Sequence, residues 1–183
     1  MSDLPKLSLA AAVAVAEAIE AATGLDVRLK WPNDVLVHRR KLAGILLESR
    51  ISVAPIVVVG LGINLRQRVF PAALAGAATS VDLEGGRVVG REELLEVVLE
   101  AFGRWRRRLE SEGFAALRTR WLALADTIGR TVTVGEHEGL AVDLAEDGAL
   151  VLRQAAGLQR VFAGEVTTSH PRLTAPGTAL ILH

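Results

Sequence analysis

Residues 28–48 read RLKWPNDVLVHRRKLAGILLE. The outline is a short apolar hairpin, yet it carries Lys30, Asn33, Asp34 and Lys41 where plain turn residues would serve. Val27, Leu29 and Trp31 alternate with Arg28 and Lys30, the two-residue period of a half-buried strand. Pro32 has no amide hydrogen to donate and interrupts that ladder. Residues 35–37 are apolar, residues 38–40 are His-Arg-Arg, and residues 42–47 return as a second strand. Buried lysines are rare and an unpaired one is costly, so two of them in an apolar sheet require either solvent or an anion. Parity puts Lys30 on the face opposite Leu29 and Trp31. Lys41 stands directly before Leu42-Ala43-Gly44, and a curved sheet would bring both lysines to one pocket. Gly44 removes a side chain where a ligand would approach the backbone.

Asn33 and Asp34, at a strand end, read in two ways. They are turn residues that accept local backbone bonds, or they hold polar ligand groups or a magnesium ion, which prefers carboxylate and phosphate oxygens together. Residues 56–59, Ile-Val-Val-Val, form the apolar run of a fully buried strand. The run leads into Gly60-Leu61-Gly62-Ile63-Asn64, where the glycines let a strand end pass close to a bound group and Asn64 offers a donor and an acceptor.

Upstream, Leu9, Ala12, Val13, Ala16 and Ile19 share one helical face, with Ser8 as a cap and Gly24 as the stop. Glu17 and Glu20 break any signal-peptide core, so this is a core helix. Downstream, residues 91–110 form a helix with the stripe Leu95, Val98, Phe102, Trp105 and Leu109. Glutamates lie early and Arg104, Arg106, Arg107 and Arg108 late, complementing the helix dipole. Residues 114–124 form another helix, with Leu117, Trp121 and Leu124 inward. From about residue 127 short strands follow, at 131–134, 140–144, 149–152 and 160–162, with Glu146-Asp147-Gly148 as a hairpin turn.

The 183 residues suffice for one medium domain and a small one. Charge balances at 21 basic and 21 acidic residues, so nothing electrostatic argues for DNA as a partner. Cysteine is absent, which excludes disulfides and thiol catalysis and fits a cytoplasmic location. The apolar stretches are too short or too interrupted to span a membrane.

The order Lys30-Trp31-Pro32-Asn33-Asp34, then residues 40–46 (RKLAGIL), Glu48 and Gly60-x-Gly62-Ile63-Asn64 resembles the biotin protein ligases. The likeness runs over residues 7–169, including Gly164-Glu165-Val166. It implies an α+β fold, with a partial mixed β-sheet flanked by helices over residues 1–125. An SH3-like β-barrel over 126–170 and a tail at 171–183 would follow. It implies an enzyme that uses ATP and Mg2+ to turn biotin into biotinyl-5′-adenylate. The acyl group then passes to a lysine of a biotin carboxyl carrier domain. By similarity Lys41 contacts the biotin carboxylate and adenylate linkage, and Lys30 lies near the phosphates. Asn33 and Asp34 fall on the nucleotide and metal side, and Asn64 lies near the adenylate. Trp31, Gly44 and Gly62 belong to the same binding surface.

Family members also carry a G-R-G-R-x-G-R loop before the opening helix, and residues 1–183 contain none. Three readings stay open: a fragment completed by a complementing N-terminal piece, a shortened protein that ligates poorly, or a non-catalytic module that binds a carrier domain or a second copy. An uncovered sheet edge would in addition favour a homodimer.

Overall fold

Alanine shapes the centre of the molecule. Helix α1 (Leu4–Thr23) is buried on every side from Leu9 to Ala16, because its small side chains let other elements approach the backbone from several directions. The expected stripe is thus part of a surface covered all round, the pattern of a core helix. Ser8 lies inside the helix and does not cap it. Gly24 does stop it, with φ at +76° and its amide donating to the Glu20 carbonyl at 2.9 Å, a left-handed turn that glycine takes at little cost. The structure is a computed structural model and describes residues 4–50 and 56–168. The tail expected at 171–183 lies outside them.

Helix α1 packs on a four-stranded sheet made of β1 (Arg28–Lys30), β2 (Asp34–Val37), β3 (Arg40–Arg50) and β4 (Ile56–Ile63). The order is β1-β2-β3-β4 and every adjacent pair is antiparallel. The mixed character expected of the sheet reduces to two isolated parallel bridges, Leu29 with Ala125 and Lys41 with Ala78. Val27, Leu29 and Trp31 are buried, as their alternation requires. Strand β4 departs from expectation. It is the outer strand, and Ile56, Val58 and Leu61 are exposed, so an apolar run did not mean burial on both faces.

Helices α2 (Arg91–Glu112) and α3 (Phe114–Leu124) also pack against α1. The core residues of α2 are Leu94, Val98, Ala101 and Trp105, while Leu95 is half exposed. The buried face therefore keeps Val98 and Trp105 of the expected stripe but takes Leu94 in place of Leu95, with Phe102 and Leu109 partly buried beside it. Glu92 and Glu93 occupy the first turn, but the helix runs on to Glu112 and its last turn holds no basic residue. The arginines instead make pairs one turn apart, Arg106 with Glu110 at 2.5 Å and Arg108 with Glu112 at 2.8 Å. Glu17 of α1 joins the three helices, accepting from the Trp105 indole and from Arg120, each at 2.9 Å.

The β-rich part contains β5 (Thr131–Val134), β6 (His137–Leu144), β7 (Leu150–Gln154), β8 (Gly157–Val161) and β9 (Val166–Thr168). They form one antiparallel sheet of order β8-β7-β6-β5-β9. The turn at 146–148 forms as expected, with Gly148 at φ +85°. Among the described residues no helix is long and apolar enough to cross a membrane.

Candidate active site

One row of the first sheet organises a cleft. Lys30 on β1 faces Asp34 on β2, Asp34 faces Gly44 on β3, and Gly44 faces Gly62 on β4. Directly opposed residues share a face of the sheet. The row therefore offers an ammonium, a carboxylate and two positions with no side chain. A Cβ on Gly62 would meet no atom nearer than 3.9 Å, the Gly44 carbonyl oxygen. The two glycines leave a bare floor.

Lys41 reaches this face through an irregularity. Val35 pairs with Ala43 but Leu36 pairs with Lys41, so Leu42 has no residue opposite it. Plain alternation would put Lys41 on the side of Ala43 and Ile45, which are both buried. One extra residue, a β-bulge, shifts the phase and turns Lys41 to the side of Asp34. Its Nζ lies 2.5 Å from Asp34 Oδ1. Leu42 itself is fully buried.

Lys30, Asp34, Lys41, Gly44, Gly62 and Asn64 line one cleft of about 940 Å³. Asp34 is mostly covered and Lys41 half exposed. The Lys30 ammonium has no ion-pair or hydrogen-bond partner among the described residues. The chain holds three lysines, Lys6, Lys30 and Lys41, against eighteen arginines. Two of the three ammonium groups thus stand in one cleft, while arginine supplies nearly all the ion pairs elsewhere. Arginine carries a fixed planar fork and lysine a compact point charge, so the choice of residue here is chemical.

Asn64 lines the cleft and donates from Nδ2 to the Thr79 carbonyl at 3.0 Å. Asn33 donates from Nδ2 to the Ile45 carbonyl at 2.6 Å, and it is not among the cleft-lining residues. Its amide ties the turn before β2 to strand β3, a donated bond to another strand and not the local accepted one of the turn reading. Trp31 is a correction. It is 2% exposed and does not line the cleft. Its indole donates to the Gly148 carbonyl at 3.3 Å and its backbone amide to Thr127 Oγ1 at 3.0 Å. Trp31 fastens the β-rich part to the sheet.

Three features of the cleft escaped sequence reading. Arg39, at the tip of the β2–β3 turn, lines it. So do Phe70 and Leu74, which supply an apolar wall. So does Glu165, from the loop before β9, whose carboxylate has no partner among the described residues. Arg39 stood beside Lys41 in the His-Arg-Arg run, and Phe-Pro-Ala-Ala-Leu at 70–74 was an apolar island in a polar loop. Glu165 carried no signal beyond its place in Gly164-Glu165-Val166.

For a metal, Asp34 is the sheet's contribution, and Lys41 already holds it. Among the described residues no three His, Cys, Asp or Glu side chains cluster for a metal ion. A cage built from protein alone does not fit. An ion held jointly by Asp34 and ligand phosphates does, since magnesium is commonly bound through one or two carboxylates plus substrate oxygens.

Residues 2–64 match the biotin/lipoate A/B protein ligase family, and residues 127–167 match the biotin protein ligase C-terminal domain. A biotin--[acetyl-CoA-carboxylase] ligase of Paracoccus denitrificans is 42% identical over 173 residues, covering 88% of this chain and 72% of that protein. The chain belongs to the biotin protein ligase family. The bifunctional ligase/repressor BirA of Bacillus subtilis is 31% identical over 170 residues, but this chain spans only 52% of it. The structure of the biotin protein ligase of Aquifex aeolicus in its apo form superposes with a TM-score of 0.82 at 28% identity, covering 91% of this chain and 76% of that one. The same ligase in complex with biotin and ATP gives a TM-score of 0.79 at 29% identity, covering 91% and 72%. In the frame of a biotin protein ligase, the cleft lies on the sheet within the ligase match, with Glu165 reaching it from the matched C-terminal domain.

Proposed function

We propose that the cleft binds biotin and ATP, joins them as biotinyl-5′-adenylate, and passes the biotinyl group to a lysine of a biotin carboxyl carrier domain. One observation carries this reading: Lys30 and Lys41 line the same cleft over the bare floor at Gly44 and Gly62. Family membership and the resemblance to a ligase complexed with biotin and ATP support it.

The chemistry needs fixed positive charge. A biotin carboxylate oxygen attacks the α-phosphorus of ATP, the bond to the β-phosphate oxygen breaks, and pyrophosphate leaves. Two anionic partners must approach, and charge grows on the phosphoryl oxygens. Cations held in place beforehand stabilise that charge without reorganising during the step. Lys30, with no partner of its own, supplies one such charge. Lys41 exchanges Asp34 for the ligand, so that Asp34 holds the ammonium ready in the free protein. Phe70 and Leu74 suit the apolar part of an acyl adenylate. In the second step the acceptor amine attacks the acyl carbon, AMP leaves with the bonding pair, and the amine gives up its proton. A magnesium ion bound by Asp34 and the phosphates would add charge neutralisation.

Biotin-dependent ATP–pyrophosphate exchange tests the reading. Removing a single charge-stabilising donor typically costs about 100- to 1,000-fold, so Lys41→Ala should lose that much with the fold intact. Exchange at near-native rate in that variant would take Lys41 out of the mechanism.

A further inference from the structure

Ahead of the bulge, β2 and β3 join through His38 and Arg39, whose φ angles are 47° and 65°. Neither is glycine, and both sit in the left-handed region that a two-residue hairpin of this kind demands. L residues adopt it at a cost, so neighbouring contacts must hold the turn. Those contacts converge on Glu84. His38 Nδ1 lies 2.8 Å from its Oε2, and Arg40 Nη2 lies 2.8 Å from its Oε1. Thr79 Oγ1 donates to Oε1 at 2.5 Å. The Glu84 side chain is 3% exposed. The same segment also grips Lys41 by its backbone: the Lys41 amide donates to the Ala77 carbonyl at 2.8 Å and the Thr79 amide to the Lys41 carbonyl at 2.9 Å. Residues 38, 40 and 41 are thereby tied to the 77–84 segment, and Arg39 between them lines the cleft, with its Nε 3.9 Å from Asp126 Oδ2.

We infer that Glu84 is a positioning residue for the cleft: by fastening the left-handed turn it sets the phase in which Lys41 enters β3, and so keeps the ammonium on Asp34's side of the sheet. Glu84 does not line the cleft and touches no ligand group there. It acts through His38 and Arg40, which flank Arg39. Without it the turn can relax toward commoner backbone angles, the bulge at Leu42 can shift, and Lys41 loses its fixed place. The consequence for activity rests on the adenylate reading of the cleft; the coupling of Glu84 to Lys41 does not.

Lysine NMR separates the two. With three lysines in the chain, the 15Nζ and 13Cε signals can be assigned by single Lys→Arg changes. In the native chain Lys41 should give the signal of an ion-paired ammonium. Glu84→Ala should move it to the position of a free lysine and leave Lys30 in place. Glu84→Gln can still accept from Arg40 and Thr79 and donate to His38 Nδ1, and it should restore the native signal. An unchanged Lys41 signal in folded Glu84→Ala overturns the proposal. Should that variant fail to fold, Arg40→Met decides, since Arg40 is partly exposed: it must shift the Lys41 signal the same way by less, and no shift overturns the proposal. A non-hydrolysable biotinyl-adenylate analogue is then titrated. About tenfold weaker binding by Glu84→Ala, with Glu84→Gln near native, is expected. If the native chain does not bind the analogue, the adenylate reading falls while the NMR result still decides the role of Glu84.

Discussion

Replacing Gly44 by alanine separates what the cleft needs from what the fold needs. The added Cβ would stand 3.0 Å from Lys41 Cε, 3.1 Å from its Nζ and 3.6 Å from Asp34 Oδ1. Carbon contacts are comfortable at about 3.5–4.0 Å, so the lysine end must retreat by roughly half an ångström or swing out. It is free to do so, because the side chain is half exposed. The pair with Asp34 is lengthened or lost, and because its lysine half stands in water that costs about 1 kcal/mol. In a chain of this size the melting temperature should then fall by no more than about 4 °C. The effect on chemistry should be far larger, since displacing a reacting or stabilising group by about an ångström typically costs on the order of 100-fold. Thermal unfolding by circular dichroism and pyrophosphate exchange on the same preparation provide both numbers. A Gly44→Ala protein with native exchange would show that the position of Lys41 over the bare floor is irrelevant to catalysis.

Three further outcomes follow from contacts elsewhere. Burial pushes the Glu84 carboxyl up, but the hydrogen bonds from Thr79 and His38 and the charges of Arg40 and His38 outweigh it and hold it below the ordinary glutamate value. A depressed folded pKa gives stability that is full above the unfolded value and fades as pH falls through the folded one. The stability gap between the native chain and Glu84→Gln, read by denaturant titration, should therefore be widest near neutrality and close in acid; a gap independent of pH would contradict this. Glu17→Ala should cost about 1–3 kcal/mol by leaving the Trp105 indole without its acceptor and Arg120 with Glu20 alone, measurable by urea unfolding. Val58→Lys, on the exposed outer strand, should leave stability within about 0.5 kcal/mol and lower self-association in sedimentation velocity, because a charged edge resists strand addition.

Much of the site was legible in the sequence because strand parity is a local rule. Lys30 opposite Leu29, and the glycines at 44 and 62, needed no more than alternation and the absence of side chains. Lys41 did not yield to that rule. Its side of the sheet depends on the unpaired Leu42, and a bulge leaves no mark in an apolar run. Trp31 lay beside the charged residues and was read with them, yet its partners are 96 and 117 residues away. The apolar run in β4 says nothing of where the strand falls in the sheet order. In α2 the neighbours Leu94 and Leu95 compete for one inward position, and the packing against α1 settles which turns in. The opening helix and the turn at Gly148 followed from periodicity and glycine chemistry, which act over a few residues, while the α+β class was implied by the family resemblance.

Trp31 ties the β-rich part down next door to Lys30. A chimaera that borrows residues 127–167 from another ligase would keep its own sheet but take the residue at position 127 from the donor. Without a hydroxyl there, the Trp31 amide is buried with no acceptor. Such a hybrid should unfold at a lower temperature than the native chain, because an orphaned buried amide costs about 1–3 kcal/mol.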